Sequence, residues 1–131
     1  MPAPRNSSKP HSRAGRRGAS TGAVTALVTL PGGGCQMPVP AMPGGREWSE
    51  AERNRWAELW ESPQATQWDD SVAGTVAAVV IYETAMLAGT AAAWQAQELR
   101  YATEALGLTP RSMAHLGWRI ADGASDVEDR R

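Results

Sequence analysis

Residues 99–120 read LRYATEALGLTPRSMAHLGWRI, and the reading of this stretch decides the fold. Leu99, Ala102 and Leu106 recur at helical spacing, and Gly107 supplies the positive-φ residue that commonly ends a helix. Thr109 can cap the next helix by accepting a backbone N–H, and Pro110 suits its first position, where no N–H is needed. Met113, Leu116, Gly117 and Ile120 follow at i, i+3, i+4 and i+7, one face of a helix over 110–121. Arg111, His115 and Arg119 fall at i, i+4 and i+8 on another face. The expectation is a helix, a sharp stop, and a second helix with an apolar seam and a basic stripe.

Working back from this stretch, Gly89-Thr90 reads as a break and a cap, followed by a helix over 91–106. Before it, Asp69, Asp70 or Ser71 can cap a helix over 71–88. Val72, Val76, Val79, Val80 and Leu87 line one side of it; Gly74, Ala78, Ile81 and Ala85 line the other. A helix apolar nearly all round must be covered all round. A small core cannot enclose it, so the small-residue side is expected to meet another subunit. Ser49 and Glu52 form a capping box for a first helix over 50–61, with Trp56, Leu59 and Trp60 on one face and Ser62-Pro63 as its stop. The expected fold is all-α, a small bundle of about four helices. Trp48, Trp56, Trp60 and Trp68 cluster around the first helix and read as core anchors rather than base-stacking platforms.

The formal net charge of −1 conceals an asymmetry. Residues 1–46 hold Arg5, Lys9, Arg13, Arg16, Arg17 and Arg46 and no acid, while residues 47–131 hold seven bases and all 14 acids. Pro, Gly, Ser and Arg dominate 1–46, so a disordered basic arm and linker is expected there, apart from Ala23–Leu30, which suits a short strand or a partner contact. A helical domain over 47–122 and a charged flexible tail over 123–131 complete the organisation. A basic arm on an acidic body suggests nucleic acid or an acidic partner.

Several function classes are excluded. The single Cys35 rules out a disulfide within the chain and a thiolate zinc cluster, and it has no activating neighbour in sequence. PGGG at 31–34 lacks the Gly-Lys-Ser/Thr of a phosphate-binding loop. Arg16-Arg17 ahead of an apolar block resembles an export signal, but that block is short and broken by Thr25 and Thr29. The apolar run Val76–Tyr82 is far short of a membrane span, and no membrane association is expected. Glu83 and Glu98 fall within apolar arcs of their helices, yet neither has a His or Asp at ligand spacing. Ion pairs with Arg100 or Arg119 are the expected use. No catalytic residue, metal or cofactor is expected.

GREWSEAERNRWAELWESPQATQWDD, followed by an Ala/Val helix and then LGLTPRSMAHLGWRI, resembles the small terminase subunits of phages and prophages of actinobacteria. The similarity runs over about residues 35–121. It implies a non-enzymatic protein of the bacterial host's cytoplasm that binds the packaging site of double-stranded viral DNA. It further implies assembly as a homo-oligomer, often a ring, and engagement of the large ATPase-nuclease subunit. The alternative is a structural head-assembly or adaptor protein without specific DNA recognition. Two DNA contacts compete. One is the arm, through Arg5, Lys9, Arg13, Arg16, Arg17 and Arg46. The other is helices 91–106 and 110–121 as a helix-turn-helix, with Arg111, Ser112 and His115 near the start of the recognition helix, Arg119 further along, and Thr103 where alanine is usual. A plain helical hairpin remains open beside the second.

Overall fold

The computed structural model describes residues 27–122. Strand β1 (Val28–Leu30) is followed by helix α1 (Glu50–Trp60), two 3-10 turns (Pro63–Gln67 and Asp70–Val72), α2 (Ala73–Leu87), α3 (Ala93–Ala105), α4 (Pro110–Leu116) and strand β2 (Trp118–Ile120). The protein is mostly helical, as the periodicity predicts, with one small parallel sheet added.

The caps act largely where the sequence puts them. The Glu52 backbone N–H donates to Ser49 Oγ at 3.1 Å, and the Ser49 N–H donates to Glu52 Oε1 at 3.0 Å. That backbone bond, opposed by burial and helped by the Arg46 charge, holds the Glu52 carboxyl below its ordinary value. Asp69 Oδ1 accepts the Ser71 N–H at 2.8 Å and opens the turn that leads into α2. Thr90 does not cap α3. Its N–H closes the end of α2 on the Ala85 carbonyl at 2.9 Å, and Gln95 instead reaches back to accept the Ala92 N–H at 2.7 Å.

The core lies between α1, α2 and the end of α3. Trp56, Leu59, Trp60, Val76, Ala77, Val79, Val80 and Leu106 are buried there. Trp60 packs against Trp56 with ring centroids 5.6 Å apart and edge-on against Trp68 at 5.3 Å. Asp70–Leu87 is long and apolar enough by composition to cross a membrane, but its valines form this core and its Glu83 is ion-paired.

Two expectations are corrected. Residues 31–46, expected to belong to a disordered arm and linker, pack on the helices, and the short strand suggested within Ala23–Leu30 forms at Val28–Leu30. Leu30 and Cys35 are buried and Met42 packs against the core. The Cys35 N–H donates to the Glu61 carbonyl at 2.9 Å. The Trp56 and Trp48 indoles donate to the carbonyls of Pro40 and Pro43 at 2.8 and 3.0 Å. The tryptophans thus supply donors to the carbonyls of Pro40 and Pro43 in this Pro-rich strap. The helix expected over 110–121 ends at Leu116, because Gly117 turns left-handed at φ 75°. Trp118–Ile120 then pairs in parallel with Val28–Leu30, in the register Val28↔Trp118, Thr29↔Arg119, Leu30↔Ile120.

Candidate nucleic-acid surface

The α3–α4 junction is built by three local devices. Gly107 adopts φ 73°, its N–H donates to the Glu104 carbonyl at 3.2 Å, and the Leu108 N–H donates to the Thr103 carbonyl at 2.9 Å. This pair of bonds is a Schellman stop, which satisfies carbonyls that the helix end would otherwise orphan. Thr109 and Ser112 then form a reciprocal box: the Ser112 N–H donates to Thr109 Oγ1 at 3.1 Å, and the Thr109 N–H to Ser112 Oγ at 3.2 Å. Trp118 closes the junction from outside. A Cβ on Gly107 would stand 2.6 Å from Trp118 Cε3 and closer still to Cζ3.

Between α3 and α4 runs an open groove of about 600 Å³, lined by Arg100, Tyr101, Glu104, Ala105, Arg111, Ser112, His115 and Leu116. The Arg100 guanidinium lies 5.3 Å from the Tyr101 ring centroid. Gln97 Nε2 donates to the Tyr101 hydroxyl at 3.2 Å, and this bond, with Arg100 beside it, holds the phenol below its ordinary value. Arg111 and His115 are exposed. The groove therefore presents cationic, aromatic and apolar groups with one carboxylate, a surface suited to a polyanion.

The predicted site residues divide into those the fold brings together and those it separates. Arg111 and His115 share the groove with Arg100 and Tyr101, which the sequence reading had not placed there. Ser112 lines it too, but its hydroxyl is buried and used in the cap. Arg119 lies on β2, not on α4, and its Nε donates to Thr29 Oγ1 across the sheet at 3.3 Å. The three-residue basic stripe is therefore broken after His115. Arg46 pairs with Glu52 at 3.2 Å and stacks 4.3 Å from the Trp48 centroid, so it serves the start of α1. Arg5, Lys9, Arg13, Arg16 and Arg17 lie outside the described residues.

Glu83 pairs with Arg55 rather than with Arg100 or Arg119. Arg55 Nε and Nη2 reach its two oxygens at 2.7 and 3.1 Å. Arg55, 28 residues away, carried no sequence signal for this role. Glu98 faces solvent, outside the apolar arc assigned to it. On α2, Gly74 is exposed with open space beside it, while Ala78, Ile81 and Ala85 are half-buried. Met86, Leu87 and Trp94 are exposed, Leu87 to 90%. Among the described residues, no three His, Cys, Asp or Glu side chains are grouped to hold a metal.

A family model described as phage terminase small subunit matches residues 2–131. No curated protein and no solved structure matches the chain. The match spans the strap, the tryptophan-rich first helix and the α3–α4 junction alike, and the chain belongs to the phage terminase small subunit family.

Proposed function

We propose that the protein is a non-catalytic, DNA-binding homo-oligomer that recognises packaging DNA and recruits and regulates the large ATPase-nuclease subunit in the cytoplasm of the bacterial host. Family membership supplies the general role. The observation that carries the DNA-binding part is the α3–Gly107–α4 junction, with Arg100, Arg111 and His115 around one groove. Its Thr109-Pro110 start and Gly107 stop suit a helix-turn-helix, in which the second helix presents its first residues to the major groove. Oligomer formation is supported by the exposed apolar side chains of Met86 and Leu87 at the end of α2 and Trp94 on α3, and by the small-residue side of α2, where Gly74 is exposed and Ala78, Ile81 and Ala85 are half-buried. Exposed apolar surface of this kind suits a protein contact.

A second reading, a head-assembly adaptor without specific DNA recognition, is favoured by the charge of the body. Residues 27–122 hold six arginines against eleven carboxylates. Gel shifts with phage packaging-site DNA and an unrelated duplex of equal length separate the two. The terminase reading predicts tighter binding of the packaging site. Absence of a shift with either duplex favours the adaptor. Light scattering after size exclusion tests the oligomer, and a monomer at high concentration removes that part.

A further inference from the structure

A pocket of about 340 Å³ lies outside the α3–α4 groove, between the strap and the two 3-10 turns that follow α1. Met37, Pro38 and Pro40 wall it on the strap side, and Trp60 and Trp68 on the other. Asp69 and Asp70 line it as well, and no base does. The walls are held in place. The Cys35 N–H donates to the Glu61 carbonyl and the Trp56 indole to that of Pro40, which fixes the strap on either side of Met37 and Pro38. The Trp68 indole donates to the Leu106 carbonyl at 3.0 Å, and its ring stands at 87° to that of Trp60. Hydrogen bonds from the Ser71 hydroxyl and N–H hold the Asp69 carboxyl below its ordinary value, so it is charged at neutral pH. Trp60 is only 8% exposed, and its Nε1 is the one buried side-chain nitrogen or oxygen among the described residues without a hydrogen-bond partner. A buried donor left unpaired is destabilising until an acceptor reaches it.

We propose that this pocket takes the side chain of an arginine carried by an extended segment of a partner protein. The assignment is independent of the DNA-binding reading. Size selects the kind of ligand. Binding pockets usually enclose roughly 300–1,000 Å³, so this one, at the small end, has room for one long side chain and not for a helix. Chemistry selects the side chain. An apolar stem packs along Met37, Pro38 and Pro40 while its charged head stays at the acidic rim. A planar guanidinium stacks on an indole face, which attracts cations, and its fork of N–H donors matches a carboxylate. Lysine offers a point charge with neither the plane nor the fork. The carbonyls of the same segment are acceptors of the kind that Trp60 Nε1 lacks. At longer range the described body, with six arginines against eleven carboxylates, attracts a basic segment. Because the strap and Trp68 are already fastened, binding costs little ordering of the walls.

The test is titration of the full-length protein with the peptide acetyl-Gly-Pro-Arg-Pro-Gly-amide, to about 1 mM, followed by the backbone and indole N–H signals in NMR spectra. The flanking prolines hold the probe extended. Two further peptides carry citrulline, which has the shape of arginine without its charge, or lysine in place of the arginine. The indole signals of Trp60 and Trp68 should shift on addition of the arginine peptide, and that of Trp94, which lies outside the pocket, should stay. The citrulline peptide should bind at least about tenfold more weakly and the lysine peptide severalfold more weakly. Asp69→Asn/Asp70→Asn, which keeps a capping side chain at residue 69, should lose about tenfold for the arginine peptide and change nothing for the citrulline peptide. Arg111→Gln/His115→Gln, in the other groove, should bind the arginine peptide as the unaltered protein does. Equal affinity for the arginine and citrulline peptides overturns the assignment. So does the absence of shifts at Trp60 and Trp68, or an arginine-peptide affinity that Asp69→Asn/Asp70→Asn leaves unchanged. None of these results bears on duplex binding, which is read separately by gel shift.

Discussion

Substitution of Gly107 by alanine isolates the contact that closes the α3–α4 junction. The residue sits at φ 73°, and an added Cβ would run into the Trp118 ring. Placing a Cβ in the left-handed region costs roughly 1–2 kcal/mol. Displacing a packed ring costs about 1–3 kcal/mol more. Gly107→Ala should therefore lose about 2–5 kcal/mol, a large share of the stability of a domain this size. The matching control is Gly89, which also has φ 73° but nothing within 4 Å of its Cβ position. Gly89→Ala should lose only the conformational part, about 1–2 kcal/mol. Urea unfolding followed by far-UV circular dichroism at fixed protein concentration measures both, with the m-value as a check on two-state behaviour. In a Trp118→Ala background the excess at Gly107 should disappear. Equal losses at Gly107 and Gly89 in the unaltered background would refute the reasoning, because they would leave Trp118 with no part in holding the junction.

Further outcomes follow from the caps, the ion pair and the buried thiol. Ser49→Ala should lower stability by about 1 kcal/mol, read in the same urea assay. The Glu52 carboxyl is held below its ordinary value, so its contribution is complete above that value and is lost as pH falls through the lowered one. Glu52→Gln should flatten the loss of stability with acid below the ordinary carboxylate range, and an unchanged acid limb would contradict the capping account. The exposed Asp69, lowered by hydrogen bonds from Ser71, acts in the same sense and remains as the residual slope. A double-mutant cycle on Arg55 and Glu83, whose side chains are 40% and 25% exposed, should give a coupling no larger than about 1 kcal/mol. Cys35 is buried, so a thiol reagent should modify it at least about a hundredfold more slowly in native buffer than in urea, and equal rates would mean the strap is open.

How legible each feature was depends on whether its cause is local. The Ser49/Glu52 box, the Gly107 stop and the Thr109-Pro110 start each lie within a few residues and were readable as spacing. Trp56, Leu59 and Trp60 were readable for the same reason. A short strand was suggested within Ala23–Leu30, but its partner Trp118–Ile120 and the pairing were not. Three residues carry no usable periodicity, and the partners Thr29 and Arg119 stand 90 residues apart. Gly117 misled because glycine fits an apolar seam and a left-handed helix end equally well, and only the β1 partner selects the second. The strap at 31–46 was hidden for a different reason. Its prolines bury little apolar surface, and what holds it are indole donors on α1 and beside it, which only the fold brings near. The groove was half legible. Arg111 and His115 share a helical face, whereas Arg100 and Tyr101 join them only because α3 and α4 meet at Gly107.

The most direct test of the central claim is the affinity of the full-length protein for its phage's packaging-site duplex, titrated in salt from about 50 to 200 mM. The account predicts binding that is tighter for the packaging site than for unrelated duplex, with log affinity falling linearly against log salt at a slope of about −0.9 per phosphate neutralised. Binding that ignores salt, or none at 50 mM with either duplex, would contradict it.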